Sequence, residues 1–281
     1  MGRRAGIAAV IASGVAALVL TGTSFGLTAP AGAANPALRI HDASGTTGNW
    51  SGYVVSPQGG NVTAVTTTFK VPTGGLVLPG FAATWAGIGG FNGDMDLIQA
   101  GAIESSFPSN GLFGPQYFAW YEILPGAAVQ LSNCNGDANC TVTPGDTLTV
   151  DIHQTATNVW TITMSDLNHW TWTKTDINYT SKHSSAEWIL EAPDVSIGGL
   201  PTIPAVLPPL SGVGVAHFGP LSTYTVGSGR PQTIGSAANT SLAISPLGLG
   251  LFNVSTPSAL APDGQGFNVC AYAGSCAAPT S

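Results

Sequence analysis

Charge is what this sequence has least of. Asp, Glu, Lys and Arg make up 7% of its 281 residues, against ~25% in ordinary soluble proteins. Cations are the scarcer kind: 7 Lys and Arg stand against 14 Asp and Glu, a formal net charge of −7. Binding phosphate needs clustered Lys and Arg, so nucleic acid and anionic membranes are excluded as partners. Long segments of 3.6-residue periodicity are missing beyond the N-terminus, and 37 Gly and 20 Pro interrupt the chain, which excludes a helical bundle. The marks of common enzymes are missing too. There is no Asp-Thr-Gly or Asp-Ser-Gly, no H-E-x-x-H, no Walker loop and no dinucleotide fingerprint. Gly22-Thr23-Ser24-Phe25-Gly26 matches G-x-S-x-G but lies in the N-terminal leader and is set aside. The histidines at 41, 153, 169, 183 and 217 are scattered and read as strand-face residues rather than ligands.

What is present begins with an export address. Residues 1–34 read as a secretory signal, with Arg3 and Arg4 as the basic region, Ala5–Leu20 as the apolar region and Ala31-Gly32-Ala33 as the cleavage site. A secreted chain starting at Ala34 or Asn35 is expected, with a short arm over 35–48, one domain over 49–281 and no stable membrane association. Its remaining cations are Arg39, Lys70, Lys174, Lys182 and Arg230. Cys134, Cys140, Cys270 and Cys276 allow three pairings. Local loops, Cys134–Cys140 and Cys270–Cys276, are the most natural, and they suit an oxidising compartment. A zinc site is disfavoured by the spacing and by the lack of a nearby His.

Short alternating runs dominate the rest. Asn61–Val71, Thr147–Thr155, Val159–Ser165 and His169–Thr175 interleave Thr with apolar or aromatic residues. That period of two predicts half-buried antiparallel strands. Pro57-Gln58-Gly59-Gly60, Pro72-Thr73-Gly74-Gly75, Pro125-Gly126 and Pro144-Gly145-Asp146 supply turns between them. Strand patterns continue over Gly214–Phe218 and Ser222–Val226, after a Pro/Gly/Leu-rich surface excursion at Gly198–Gly214. The fold class expected is all-β, an antiparallel β-sandwich or jelly roll of two packed sheets.

Chemistry concentrates in polar residues set within apolar, Trp-containing strands: Gln99, Glu122, Glu187 and Glu191. A carboxyl in an apolar strand has a raised pKa unless hydrogen bonds hold it down, which suits a general acid or base and equally suits a buried structural network. Glu187 and Glu191 are four apart, so both face the same way in a straight strand.

Five ordered motifs carry a resemblance. They are Asn49-Trp50-Ser51-Gly52-Tyr53, Trp85-Ala86-Gly87-Ile88-Gly89-Gly90, Leu97-Ile98-Gln99-Ala100-Gly101, Trp120-Tyr121-Glu122 and Ser185-Ala186-Glu187-Trp188-Ile189. A tail follows, Pro257-Ser258-Ala259-Leu260 and then Asp263-Gly264-Gln265-Gly266-Phe267-Asn268-Val269. With these the sequence resembles the glutamic peptidases, the eqolisin family. The resemblance implies a sandwich of two antiparallel sheets with a concave substrate face. It implies a catalytic pair at Gln99 and Glu187, a cleft lined or supported by Trp50, Trp85, Trp120 and Glu122, polypeptide substrates, and no metal or cofactor. Two positions depart from the family pattern: Gly89 and Phe118 stand where Asp is usual, which bears on pH profile and specificity.

A Gln/Glu pair suits amide hydrolysis, which needs a base for water and a donor for the oxyanion. A broad-specificity, acid-acting, monomeric endopeptidase is expected. Two rivals use the same residue types. A non-catalytic sandwich could bind sugar or peptide on its aromatics. A jelly-roll glycosidase would need two carboxylates across the cleft, ~5–5.5 Å apart if retaining or ~6.5–9.5 Å if inverting.

Overall fold

The computed structural model describes residues 46–75, 80–106, 114–167, 169–193, 210–245 and 253–280. The signal segment, most of the arm, His41 and residues 198–209 of the Gly198–Gly214 excursion lie outside them; at its described end Leu210, Ser211 and Val213 are buried, not at the surface as expected. In chain order the strands are β1 (Thr46–Thr47), β2 (Trp50–Val55), β3 (Val62–Lys70), β4 (Phe81–Gly89), β5 (Leu97–Ser105) and β6 (Gln116–Ile123). Then come β7 (Val129–Gln130), β8 (Thr147–Ala156), β9 (Val159–Asp166), β10 (Trp170–Asn178) and β11 (Ala186–Glu191). The last are β12 (Val215–Phe218), β13 (Thr223–Val226), β14 (Gln232–Thr233), β15 (Asn239–Ile244), β16 (Ser255–Pro257) and β17 (Phe267–Ala271). Among the described residues the only helical structure is a 3-10 turn at Ile234–Ser236.

The strands form two layers. The front sheet runs β15–β2–β11–β4–β5–β6–β7, antiparallel throughout. The back sheet runs β10–β9–β8–β3, with β12 and β13 on the far edge of β3. β14 pairs with β13, while β17 and β16 extend the sheet from β12. β15 joins the layers, pairing with β2 in front and β16 behind, and β1 lies parallel to it.

Alternation explains the back sheet. In β8 the apolar Leu148, Val150 and Ile152 turn inward and are fully buried, while Thr147, Thr149, Asp151 and His153 keep partial exposure. Those apolar side chains meet Trp188, Ile88 and Ile98 of the front sheet in one core, and the Trp188 indole N–H reaches across to the Thr66 carbonyl at 3.1 Å. The front sheet differs from the half-buried expectation, because β4, β5, β2 and β11 are buried on both faces. The sequence carries the physical reason: Phe81–Ile88 and Leu97–Ile103 are near-continuous apolar or small runs, which is how a strand covered on both sides reads. Their second face holds its own apolar cluster, including Trp50, Val54, Trp85, Phe91, Trp120 and Ile189.

The expected disulfides are both present, Cys134–Cys140 and Cys270–Cys276. Each closes a loop so short that its entropic contribution is about 2 kcal/mol on a chain-entropy account. They tie down local turns rather than join the sheets.

Candidate active site

One row of residues crosses the outward face of the front sheet. Strand register sets Val54 opposite Glu187, Glu187 opposite Gly87, Gly87 opposite Gln99, and Gln99 opposite Glu122. Directly paired residues in an antiparallel sheet project to the same side, so all five share one face. Gln99 and Glu187 are two strands apart, about 10 Å between backbones. Between them stands a residue with no side chain. A Cβ at Gly87 would lie 2.9 Å from the Ile98 carbonyl oxygen and 3.1 Å from Gln99 Cβ. Position 87 itself puts no side chain between amide and carboxyl, while Leu97 Cδ1 lies 3.1 Å from where its Cβ would be.

Both members of the pair are buried, Gln99 at 4% exposure and Glu187 at 0%. Gln99 donates from Nε2 to Glu122 Oε2 at 2.7 Å, while its Oε1 has no partner. A carboxylate only accepts, so Glu122 selects the amide orientation with Nε2 towards it and leaves the second N–H of that nitrogen for another acceptor. Neither carboxyl oxygen of Glu187 has a hydrogen-bond partner. Burial pushes Glu187 well above the usual carboxyl range; the nearby Ser185 hydroxyl, though outside hydrogen-bonding geometry, pulls it back in part, and the charge of Asp94 adds to the rise. Glu122 is raised as well, by burial, with Gln99 and the Ala128 backbone opposing.

Glu191 shares the face with Glu187, as the spacing of four requires, but it is engaged elsewhere. Its Oε2 accepts the Trp85 indole N–H at 2.8 Å and its Oε1 accepts Asn49 Nδ2 at 2.9 Å. Trp50 meets Trp85 edge-on, with ring centroids 4.9 Å apart. Trp120 lies two strands from Trp85 across Gly101, in the next row. The six residues anticipated from sequence, Trp50, Trp85, Gln99, Trp120, Glu122 and Glu187, therefore lie on one face. All six are buried.

The two departures have local explanations. Gly89 has φ +92°, and a Cβ there would strike the Asp96 carbonyl and the Tyr179 hydroxyl, so no acid fits at that position. The acids come instead from the following turn, where Asp94 is buried and accepts the Ser184 hydroxyl at 2.9 Å. Phe118 packs onto the apolar cluster, making that flank greasy rather than acidic. Sequence reasoning passed over Gly87, Asn49 and Asp94. Gly87 lies within Trp85-Ala86-Gly87-Ile88, but only the strand register shows which two side chains it separates.

No second carboxyl stands across Gly87 from Glu187. Gln99 occupies that place, Glu122 is bonded to it, and Glu104 projects to the opposite face beside Ser106 and Ser211. A two-carboxylate glycosidase pair across Gly87 is therefore not formed. A cavity of about 280 Å³ lies on the back sheet, lined by Asn135, Asp166, Leu167, His169, Trp170 and Thr171, and contains none of these residues. Beside it Asp146, Asp166 and His169 bring ligand-type atoms within 4.8 Å of one another. Asp166 there accepts from His169, and Asp146 from Thr143.

Fold and face together describe a β-sandwich with an amide and a carboxyl held across a bare backbone position. The model of the peptidase A4 family matches residues 48–239; the chain belongs to that family and is a peptidase. Two solved structures are similar in fold. One is scytalido-glutamic peptidase with a transition state analog inhibitor, at 20% identity, covering 80% of this chain and 98% of that one with a TM-score of 0.60. The other is SCP-B, a member of the eqolisin family in complex with the tripeptide Ala-Ile-His, at 19% identity, with the same coverages of 80% and 98% and a TM-score of 0.55. No curated protein matches the sequence.

Proposed function

We propose that this chain is a secreted glutamic endopeptidase acting in acid, with Glu187 as general base and Gln99 as oxyanion donor. The observation that carries the reading is the row Glu187–Gly87–Gln99. A peptide carbonyl and a water in the gap above Gly87 would lie between the two side chains. Ionised Glu187 takes a proton from the water, whose oxygen adds to the carbonyl carbon. The Gln99 N–H not engaged by Glu122 donates to the oxyanion. When the C–N bond breaks, Glu187 returns its proton to the leaving nitrogen. The water and the bound peptide supply the hydrogen bonds that Glu187 lacks, drawing its pKa back towards the usual range. Trp50, Trp85 and Trp120 flank an extended substrate. Secretion is supported by the leader-like residues 1–34 and by two disulfides, which persist in oxidising compartments.

The test is digestion of an unfolded protein between pH 2 and 7, with fragments mapped by mass spectrometry. Internal cleavage with a maximum below neutrality is expected. Release of terminal residues alone would remove the endopeptidase reading, and a maximum at or above pH 7 the acid one.

Acid operation also has a stability argument. Burial raises Glu104, Glu122 and Glu187, and also Asp166. A carboxyl raised in the native state stabilises the fold below its unfolded pKa, and that contribution is lost as pH rises through the native value. His169, raised chiefly by its bond to Asp166, likewise supports the fold in acid. His183 opposes: burial lowers it, so its contribution is lost as pH falls through the native value. Asp137, lowered by Thr141 and Asn139, sits in a surface loop and counts for little. The ion pairs between described residues are His153–Asp151 and His169–Asp166, so acid breaks no Lys or Arg bridge among them. The melting temperature is expected to be higher at pH 4.5 than at pH 8 by more than about 3 °C, the shift that ~1 kcal/mol produces in a domain of this size. A higher value at pH 8 would show that hydrogen-bonded carboxylates dominate instead.

A further inference from the structure

Glu191 is a carboxylate that the chemistry above does not use, yet it sits on the catalytic face and holds two specific partners. β11 runs between β2, which carries Trp50, and β4, which carries Trp85. From that central position the carboxylate accepts from the Trp85 indole on one side and from the Asn49 amide on the other. Asn49 is buried and immediately precedes Trp50. The same corner is fastened by Thr47, whose hydroxyl accepts the Trp50 N–H and donates to the Trp50 carbonyl, both at 2.7 Å. Trp85 is wholly buried, so its N–H needs a protein acceptor. Trp50 leans edge-on against it and extends until its Cη2 would lie 3.1 Å from a Cβ at Gly90. Its indole thus spans the stretch of β4 that contains Gly87.

We propose that Glu191 is a positioning residue of the substrate cleft. It fixes Trp85 as a backing and Trp50 as an apolar wall beside the Gln99/Glu187 gap, and so selects peptides with a large apolar side chain near the scissile bond. The inference rests on the peptidase reading. Trp85 is two residues along β4 from Gly87, about 7 Å, within reach of side chains one or two positions from the bond that is cut. Ala83, Val54 and Ile189 in the same cluster are apolar.

The experiment compares Glu191→Ala and Glu191→Gln with wild type on two peptides that differ only in carrying Leu or Ala beside the scissile bond. A carboxylate hydrogen bond to a buried donor is worth enough that KM for the Leu peptide is expected to rise roughly tenfold in Glu191→Ala, with kcat within about threefold. The preference for Leu over Ala should shrink with it. Two indoles 4.9 Å apart couple in circular dichroism, and that signal should weaken in the same variant. Glu191→Gln keeps an acceptor for Trp85 but sets two amide donors against each other at Asn49. Adding Asn49→Asp reverses donor and acceptor, and this pair should recover both KM and the indole coupling, including where Glu191→Ala does not fold. A hundredfold fall in kcat at unchanged KM in Glu191→Ala would place the residue in the chemistry and overturn the proposal. So would unchanged KM and coupling, or no recovery in the double variant. A wild-type protein that cleaves nothing would count against the peptidase reading instead. The wall would still be tested then, by the affinity of both peptides for the Glu187→Gln background with and without Glu191→Ala.

Discussion

Glu187→Gln is expected to lower kcat by ~10²–10⁴, the range that general-base catalysis supplies. The substitution keeps the shape of the side chain and removes the proton acceptor. The residue is buried and makes no hydrogen bond in the free enzyme, so a neutral amide there is no worse satisfied than the carboxyl it replaces. The variant should therefore fold and melt as the parent does, or at a higher temperature near neutrality, where an ionised Glu187 weakens the fold. Gln99→Ala should cost ~10²–10³, the usual loss for one oxyanion donor. It should fold slightly worse, because Glu122 loses the amide that draws its pKa down. Steady-state kinetics on one peptide substrate, with circular dichroism as the check on folding, decides both. A Glu187→Gln enzyme that keeps more than a tenth of the parent turnover, far above the ~10²–10⁴ loss expected, would dismiss the assignment.

Gly87→Ala is the second large effect, expected at ~10² in kcat/KM, because a displacement of about 1 Å in a reacting group costs that much. The added methyl would stand between the two working side chains, 3.1 Å from Gln99 Cβ. It must also push on the Ile98 carbonyl oxygen at 2.9 Å, so β4 and β5 have to part slightly. Some stability should be lost with the activity. The informative comparison is peptide affinity in the Glu187→Gln background. If the gap above Gly87 seats the substrate carbonyl, Gly87→Ala weakens binding there too. Unchanged binding and unchanged turnover would mean that the carbonyl sits elsewhere.

Much of this was legible in the residues. Thr-rich alternation located β3, β8, β9 and β10 to within a few residues, since a period of two has only one regular backbone to match it. Export-like composition and two short Cys intervals anticipated local disulfides. Parity put Glu187 and Glu191 on one face but could not rank them. The preference for Glu187 came from the motif that carries the resemblance; the structure adds that Trp85 and Asn49, more than a hundred residues away in the chain, bind Glu191, while the Glu187 carboxyl oxygens have no hydrogen-bond partner.

The sequence by itself determined the class of fold and the short list of polar residues set in apolar strands, and it favoured local pairing of the cysteines among three possibilities, because each is a matter of local pattern or of a motif read along the chain. Only the tertiary structure decided that Gln99 and Glu187 flank one glycine, that Glu122 turns the Gln99 amide, and that all three are buried. Those facts depend on which strand lies beside which. β11 enters between β2 and β4 although more than ninety residues of chain separate it from either. Such long-range register is set by packing two sheets over a shared core, and no window along the sequence contains it.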